Sequence, residues 1–171
     1  MLTKLDDYPI HQTPYPIAHT YSADLNHYDR YFFNGYSPSG DLFFAVALGY
    51  YPNRKVMDAG FAVIRDGIEY SLIASRRAPN EPTDTSAGPI RVTVQEPLQR
   101  LLVTVAPNEH NIEADLLFEA RTVPVEEPHF SRTDGITRTF DLTRLTQWGS
   151  WSGFIKVNGE TIEVDQSVRG C

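Results

Sequence analysis

The chain has 171 residues, 41% hydrophobic and 22% charged, with a formal net charge of −7 from 15 basic and 22 acidic residues. That length supports one domain with a core that needs no staples, and the acidic balance argues against a nucleic-acid partner, which usually requires a basic face. The single cysteine, Cys171, excludes a disulfide framework and a thiolate metal centre, no window has the apolar length of a membrane span, and with no apolar leader after Met1 a reduced, cytoplasmic setting is expected.

Residues 1–29 read as an N-terminal arm. Pro9, Pro14 and Pro16 break any period of 2 or 3.6, while Tyr8, Ile10, Tyr15, Ile17 and Tyr21 suit an extended strap laid over the body. His11, His19 and His27 recur every eight residues, which is not a ligand spacing on any regular element. Neither a metal nor a cofactor is expected.

Strand patterning begins at Arg30. Tyr31–Tyr36, Leu42–Tyr51 and Val56–Arg65 are separated by Ser37–Asp41 and Pro52–Lys55, spacers short enough to close antiparallel hairpins. Val56–Arg65 then turns at Asp66-Gly67 into Ile68–Arg77. Within Leu42–Tyr51, one face is Leu42, Phe44, Val46, Leu48 and Tyr50, and the other is Phe43, Ala45, Ala47, Gly49 and Tyr51. Successive strand residues point to opposite faces, so both faces here are apolar, whereas a meander with one wet face alternates. Something must cover each side.

Ala78–Gly88 reads as a loop. Ile90–Gln95 and Leu101–Val105 alternate, and Ile112–Ala120 has one apolar face opposite an acidic stripe of Glu113, Asp115 and Glu119. Thr122–Gly135, with Pro124 and Pro128, reads as a long connection, and Ile136–Gln147 is ambiguous between a short helix and a strand. Gln147–Val157 and Glu160–Val164 form a last hairpin on Asn158-Gly159. Eight or nine strands in up-and-down order, with no βαβ crossover, predict an all-β antiparallel barrel over residues 30–171. A barrel of that size holds side chains or one small ligand.

Asp29–Asn34, the Ser37–Asp41 turn, Gly49–Asn53, Val56–Asp58, Phe61–Val63, Glu119–Arg121, Glu126–Pro128, Trp151–Phe154 and Val157–Gly159 together resemble a lipocalin-like family. It is the family of hydroxyneurosporene synthase, a carotenoid hydratase, and its bacterial relatives; the motifs are structural rather than catalytic. The resemblance implies a lipocalin-like, calycin-type barrel that binds a hydrophobic, isoprenoid- or lipid-like small molecule. It also implies that such a barrel forms half of a cofactor-free hydratase or cyclase, since family members usually carry two such domains and this chain is similar to the first. The outer apolar face is then expected to meet a second lipocalin-like domain or another copy of the chain.

Asp58 is the only charge within the apolar run Val56–Ala62. A desolvated carboxyl there would suit an acid that protonates an alkene, and a structural Asp paired with Arg30 is the plainer alternative. Arg30, Tyr31 and Asn34 are candidates to turn polar groups into an apolar cavity, with ordinary hydrogen bonding at the barrel mouth as the plainer alternative. Phe44, Tyr50 and Trp151 complete the predicted ligand wall, although Trp151 shares its face with Gly153, Ile155 and Val157, so core packing is its default role. Two non-catalytic alternatives stand beside the enzyme reading: a lipocalin-like carrier, and an oligomerising domain whose interior is packed solid.

Overall fold

The computed structural model describes residues 1–171 and contains fifteen strands and no α-helix. In chain order they are β1 (Asp29–Tyr36), β2 (Leu42–Tyr51), β3 (Val56–Arg65), β4 (Ile68–Arg77), β5 (Ser86–Ala87), β6 (Ile90–Glu96), β7 (Arg100–Val105) and β8 (Ile112–Ala120). There follow β9 (Val125–Glu126), β10 (Phe130–Asp134), β11 (Thr137–Leu142), β12 (Leu145–Thr146), β13 (Gly149–Val157), β14 (Glu160–Val164) and β15 (Arg169–Gly170). Eleven of them form one antiparallel sheet, ordered β4-β3-β2-β1-β15-β13-β8-β7-β6-β5, with β14 also paired to β13. The sheet curls into a nearly closed lipocalin-like barrel. Its nine longer strands are the eight or nine that the hairpin spacing predicts.

Turn chemistry sets the registers. Both residues of Asp66-Gly67 and of Asn158-Gly159 have positive φ, the type I′ geometry whose twist matches the flanking strands. The β2–β3 and β3–β4 ladders then run unbroken from Leu42↔Arg65 to Tyr51↔Val56 and from Arg65↔Ile68 to Val56↔Arg77. Between β4 and β5, the two ends of the sheet, Arg76 bridges the seam: it meets the Asp84 carboxylate at 2.7 Å and donates to the Asp84 carbonyl at 3.0 Å.

Closure on the other side uses the last residues of the chain. β15 lies between β1 and β13, with Arg169 opposite Tyr36 on one flank and opposite Ser150 on the other. The Asn34 main-chain N–H donates to the Cys171 carbonyl at 2.7 Å, and that of Trp151 to the Val168 carbonyl at 3.0 Å.

The interior holds one cluster of 25 buried apolar residues. Trp151 stands at its centre, with ring centroids 5.3 Å from Phe44, 5.1 Å from Phe118 and 6.1 Å from Phe33. Phe44 stacks in turn toward Phe61 at 6.4 Å. Strand alternation supplies the rest: Val46, Met57, Val63, Ile90, Val92, Val103, Ile112, Leu116 and Ile155 are all essentially inaccessible. Aromatic side chains from β1, β2, β3, β8 and β13 thus meet across the interior. An open polar depression of about 330 Å³ lies outside it, between the Ser37–Asp41 turn and the β14 region.

Several segments depart from the predicted elements: Ala78–Gly88, expected as a loop, contains β5, and Arg169–Gly170, beyond the last predicted hairpin, forms β15. Thr122–Gly135, expected as a connection, contains β9 and β10, and Ile136–Gln147 forms β11 and β12 rather than a helix. Together residues 121–148 make an outward excursion between β8 and β13, in which β9 pairs with β12 and β10 with β11. The N-terminal arm carries one 3₁₀ turn, Lys4–Asp7. The Asp6 carboxylate organises it, accepting from the Thr3 and Ile17 main-chain N–H groups at 2.7 and 2.9 Å. Asn53 anchors the arm to the body by donating to the carbonyls of Ser22 and Asp24, both at 2.8 Å. No helix is long and apolar enough to cross a membrane.

Candidate functional site

The doubly apolar strand β2 sits where its composition requires, with its inner face in the core and its outer face between β1 and β3. Cross-strand register arranges the outer residues of β1–β4 in rows. Phe32, Ala47, Gly60 and Ile73 form one row, and Asn34, Ala45, Ala62 and Ser71 the next. Tyr36, Phe43, Ile64 and Glu69 form a third. The middle strands therefore present a floor of Ala and Gly, and large side chains stand around it. Phe32 is 55% exposed, Tyr36 50% and Ile73 82%, on a surface where scattered single apolar residues are the norm. Phe32 and Ile73 lie three strand spacings apart, about 14 Å, which makes the floor a shallow trough.

At the opposite end of the trough from Phe43, four side chains converge over Gly49. A Cβ on Gly49 would come within 2.7 Å of the Tyr51 ring, 2.8 Å of the Tyr51 hydroxyl and 2.9 Å of Asp58 Oδ1. Glycine is what lets Tyr51 fold flat onto the strand with the Asp58 carboxylate beside it. Tyr28 covers Tyr51 with ring centroids 5.6 Å apart, and the Arg30 guanidinium lies 5.7 Å from the Tyr28 ring centroid. Burial, and then the Asp58 charge, push the Tyr51 hydroxyl up, against the opposing pull of Arg30. The Asp58 carboxylate has no hydrogen-bond or ion-pair partner, and nor does Glu69 at the far corner.

The seven predicted site residues, six of a ligand wall and the candidate acid Asp58, are divided by strand alternation. Phe44 and Trp151 are fully buried and in contact with each other, and Tyr31 and Tyr50 are half-buried at the core's margin. Tyr31 stacks on Phe33 at 5.4 Å, and the Tyr50 hydroxyl donates to the Pro79 carbonyl at 3.3 Å. Burial pushes both phenols up, and Asp29 adds to the effect at Tyr31. Arg30 and Asn34 take the other parity of β1 and lie outside, so of the expected polar trio only Tyr31 faces inward. Asn34 spends its side chain on the Cys171 sulfur at 3.3 Å. Asp58 also faces outward, beside the trough rather than the core.

Phe32, Tyr36, Ile64 and Ile73 were not singled out by sequence, although period 2 applied to β1, β3 and β4 assigns all four to the outer face. The other unassigned feature is the excursion 121–148, in which no residue is buried.

The chain belongs to a family of unknown function, DUF8625, whose profile matches residues 2–171. No curated protein and no solved structure matches it.

Proposed function

We propose that this domain is a docking module, in which the packed barrel is the scaffold and the outer face of β1–β4 is the binding surface for a polypeptide. The observation that carries this reading is the exposed apolar rim of Phe32, Phe43, Ile64 and Ile73 around a floor of Ala45, Ala47, Gly60 and Ala62. The core does not account for those rim residues, because β1–β4 already bury their other face in it. Small floor residues admit close approach, and large rim residues supply anchors, the arrangement that concentrates binding energy in a few side chains.

A photo-crosslinking residue placed at Ile73 tests the reading, with the same residue at Glu163 on β14 as the control. The expected result is a polypeptide adduct from position 73 that disappears in the Phe43→Asp background. Equal labelling from both positions would remove the assignment.

A second reading places an apolar small molecule on this same face, with Asp58 as the acid of a cofactor-free hydration or cyclisation. The convergence of the Asp58 carboxylate and the Tyr51 hydroxyl over Gly49, beside the apolar floor, favours it. It predicts saturable binding of an apolar fluorophore that Ile73→Asp abolishes, and no polypeptide adduct from position 73.

A further inference from the structure

Resting on the docking reading, we infer that the occupant of the β1–β4 face is the β10–β11 hairpin of a second copy of this chain, so that two copies exchange hairpins about a two-fold axis. The excursion 121–148 contains no buried residue, and a two-stranded hairpin alone is marginal in water. It is nonetheless amphipathic. Residues directly opposite share a face, so Phe130↔Leu142 and Arg132↔Phe140 place three apolar side chains and one cation together. The rings of Phe130 and Phe140 meet edge-to-face at 6.0 Å. The other face carries Ser131 and Asp141 with Thr133 and Arg138. At the tip, Ile136 is fully exposed.

The hairpin does not lie over the trough of its own chain. It springs from β8 and β13, and its connections to the body run to Leu98, Ser150 and Gln166, with no hydrogen bond or ion pair to β1–β4. The same chain thus displays an apolar ridge and an apolar trough that it leaves apart. Their dimensions agree. Two strands span about 5 Å plus side chains, against a floor about 14 Å across, and five to six residues of strand run about 17–20 Å along it.

Charge points the same way. Residues 121–148 hold Arg121, Arg132, Arg138 and Arg144 against Glu126, Glu127, Asp134 and Asp141, a net of zero, so the remaining 11 basic and 18 acidic residues carry the whole −7. A neutral hairpin is the part of one acidic body that can approach another. Its apolar face brings Arg132, which has no carboxylate partner of its own, and the trough offers Asp58 and Glu69, neither of which is in an ion pair, although Arg30 stands in the same cluster as Asp58. An exchange of this kind is isologous and closes on two copies, each hairpin meeting the same patch.

Sedimentation equilibrium of the full chain tests the inference. The wild type is expected to be a dimer at micromolar concentration. Phe140→Asp in the hairpin and Ile73→Asp in the trough should each raise the dissociation constant at least 100-fold, and Arg132→Glu at least tenfold. An equal mixture of Phe140→Asp and Ile73→Asp chains should regain association through its one intact hairpin–trough pair, which neither variant does alone. Both residues are exposed in the single chain, and unchanged circular dichroism and unfolding midpoints at high dilution confirm the fold. The crosslink from position 73 should map to residues 129–142, a readout that needs no charged variant.

A wild-type chain that stays monomeric at 100 micromolar overturns the inference. A Phe140→Asp chain that dimerises while Ile73→Asp does not would overturn this occupant alone, leaving the docking face with a different partner. A position-73 adduct from an unrelated polypeptide would do the same.

Discussion

Trp151 donates its indole N–H to the main-chain carbonyl of Asn34 across 2.9 Å. This one bond joins the centre of the core to the strand at which the barrel closes, because Asn34 also receives the end of the chain. Replacing Trp151 with Phe should remove the donor and leave a gap, destabilising by about 2 kcal/mol. Replacement with Ala should cost about 3–5 kcal/mol through the cavity it opens between Phe33, Phe44 and Phe118. Urea unfolding followed by circular dichroism measures both, and equal losses for the two variants would show that packing around the ring contributes nothing beyond the bond.

Two strand glycines, Gly153 on β13 and Gly49 on β2, should respond differently to the same methyl group. At Gly153, φ is +130° and a Cβ would stand 1.9 Å from the Asp115 carbonyl oxygen, a backbone atom of the paired strand β8. Neither strain nor overlap can be relieved without breaking the β8–β13 ladder, so Gly153→Ala should cost about 3 kcal/mol or more. At Gly49 the overlapping atoms are the far ends of Tyr51 and Asp58, which can swing away. Gly49→Ala should therefore fold with a loss of about 1 kcal/mol, but with Tyr51 displaced from the strand. Tyr51 fluorescence accessibility to a quencher, alongside the unfolding midpoint, separates the two cases.

Asp41 links the β1–β2 turn to β3. Hydrogen bonds from the Ser37 and Ser39 hydroxyls, followed by the Arg65 charge at 2.9 Å, hold its carboxyl down to about 2. A carboxyl whose pKa is lower in the folded than in the unfolded chain contributes stability that is complete above the unfolded value, near 4, and lost as pH falls toward 2. Asp41→Asn should accordingly be less stable than the wild type at pH 7, with the difference shrinking below pH 4. Paired denaturation curves at pH 7 and pH 2.5 test this, and a gap that persists at pH 2.5 would mean that the ionised form is not what the turn uses.

The β1–β4 meander is readable in the sequence because three signals agree there: turn residues at each break, period-2 alternation and β-branched or aromatic filling. The same alternation, applied to β1, separates Tyr31 from Arg30 and Asn34, and a cavity lined by all three is incompatible with a regular strand. Whether the interior is filled is a different matter. Alternation places Phe44, Phe61 and Trp151 inside, but only their three-dimensional meeting around Phe33 and Phe118 shows how the space is occupied. The β10–β11 hairpin has only Phe130, Phe140 and Leu142 on its apolar face, too few to mark both strands by period, and Ile136–Gln147 stays ambiguous until its cross-strand partners are known. β15 is two residues long, too short to carry any period.

That short strand bears more of the fold than its length suggests. It fills the gap between β1 and β13, and without it the Asn34 and Trp151 main-chain donors lose the Cys171 and Val168 carbonyls. Val168, 4% exposed, leaves the core at the same time. Deleting residues 168–171 should destabilise the domain by about 3–5 kcal/mol, from lost hydrogen bonds of about 1 kcal/mol each and one buried Val side chain. It should also expose fresh edges on β1 and β13, so aggregation is expected to rise. Cys171→Ser should instead stay within about 0.5 kcal/mol of the wild type, because the strand needs the residue's backbone and its sulfur makes one weak contact with Asn34. Hydrogen exchange at the Asn34 and Trp151 amides reads the effect directly: protection should collapse in the deletion and persist in Cys171→Ser. Protection retained in the deletion would mean that β1 and β13 pair without the chain end, and that the barrel closes by another route.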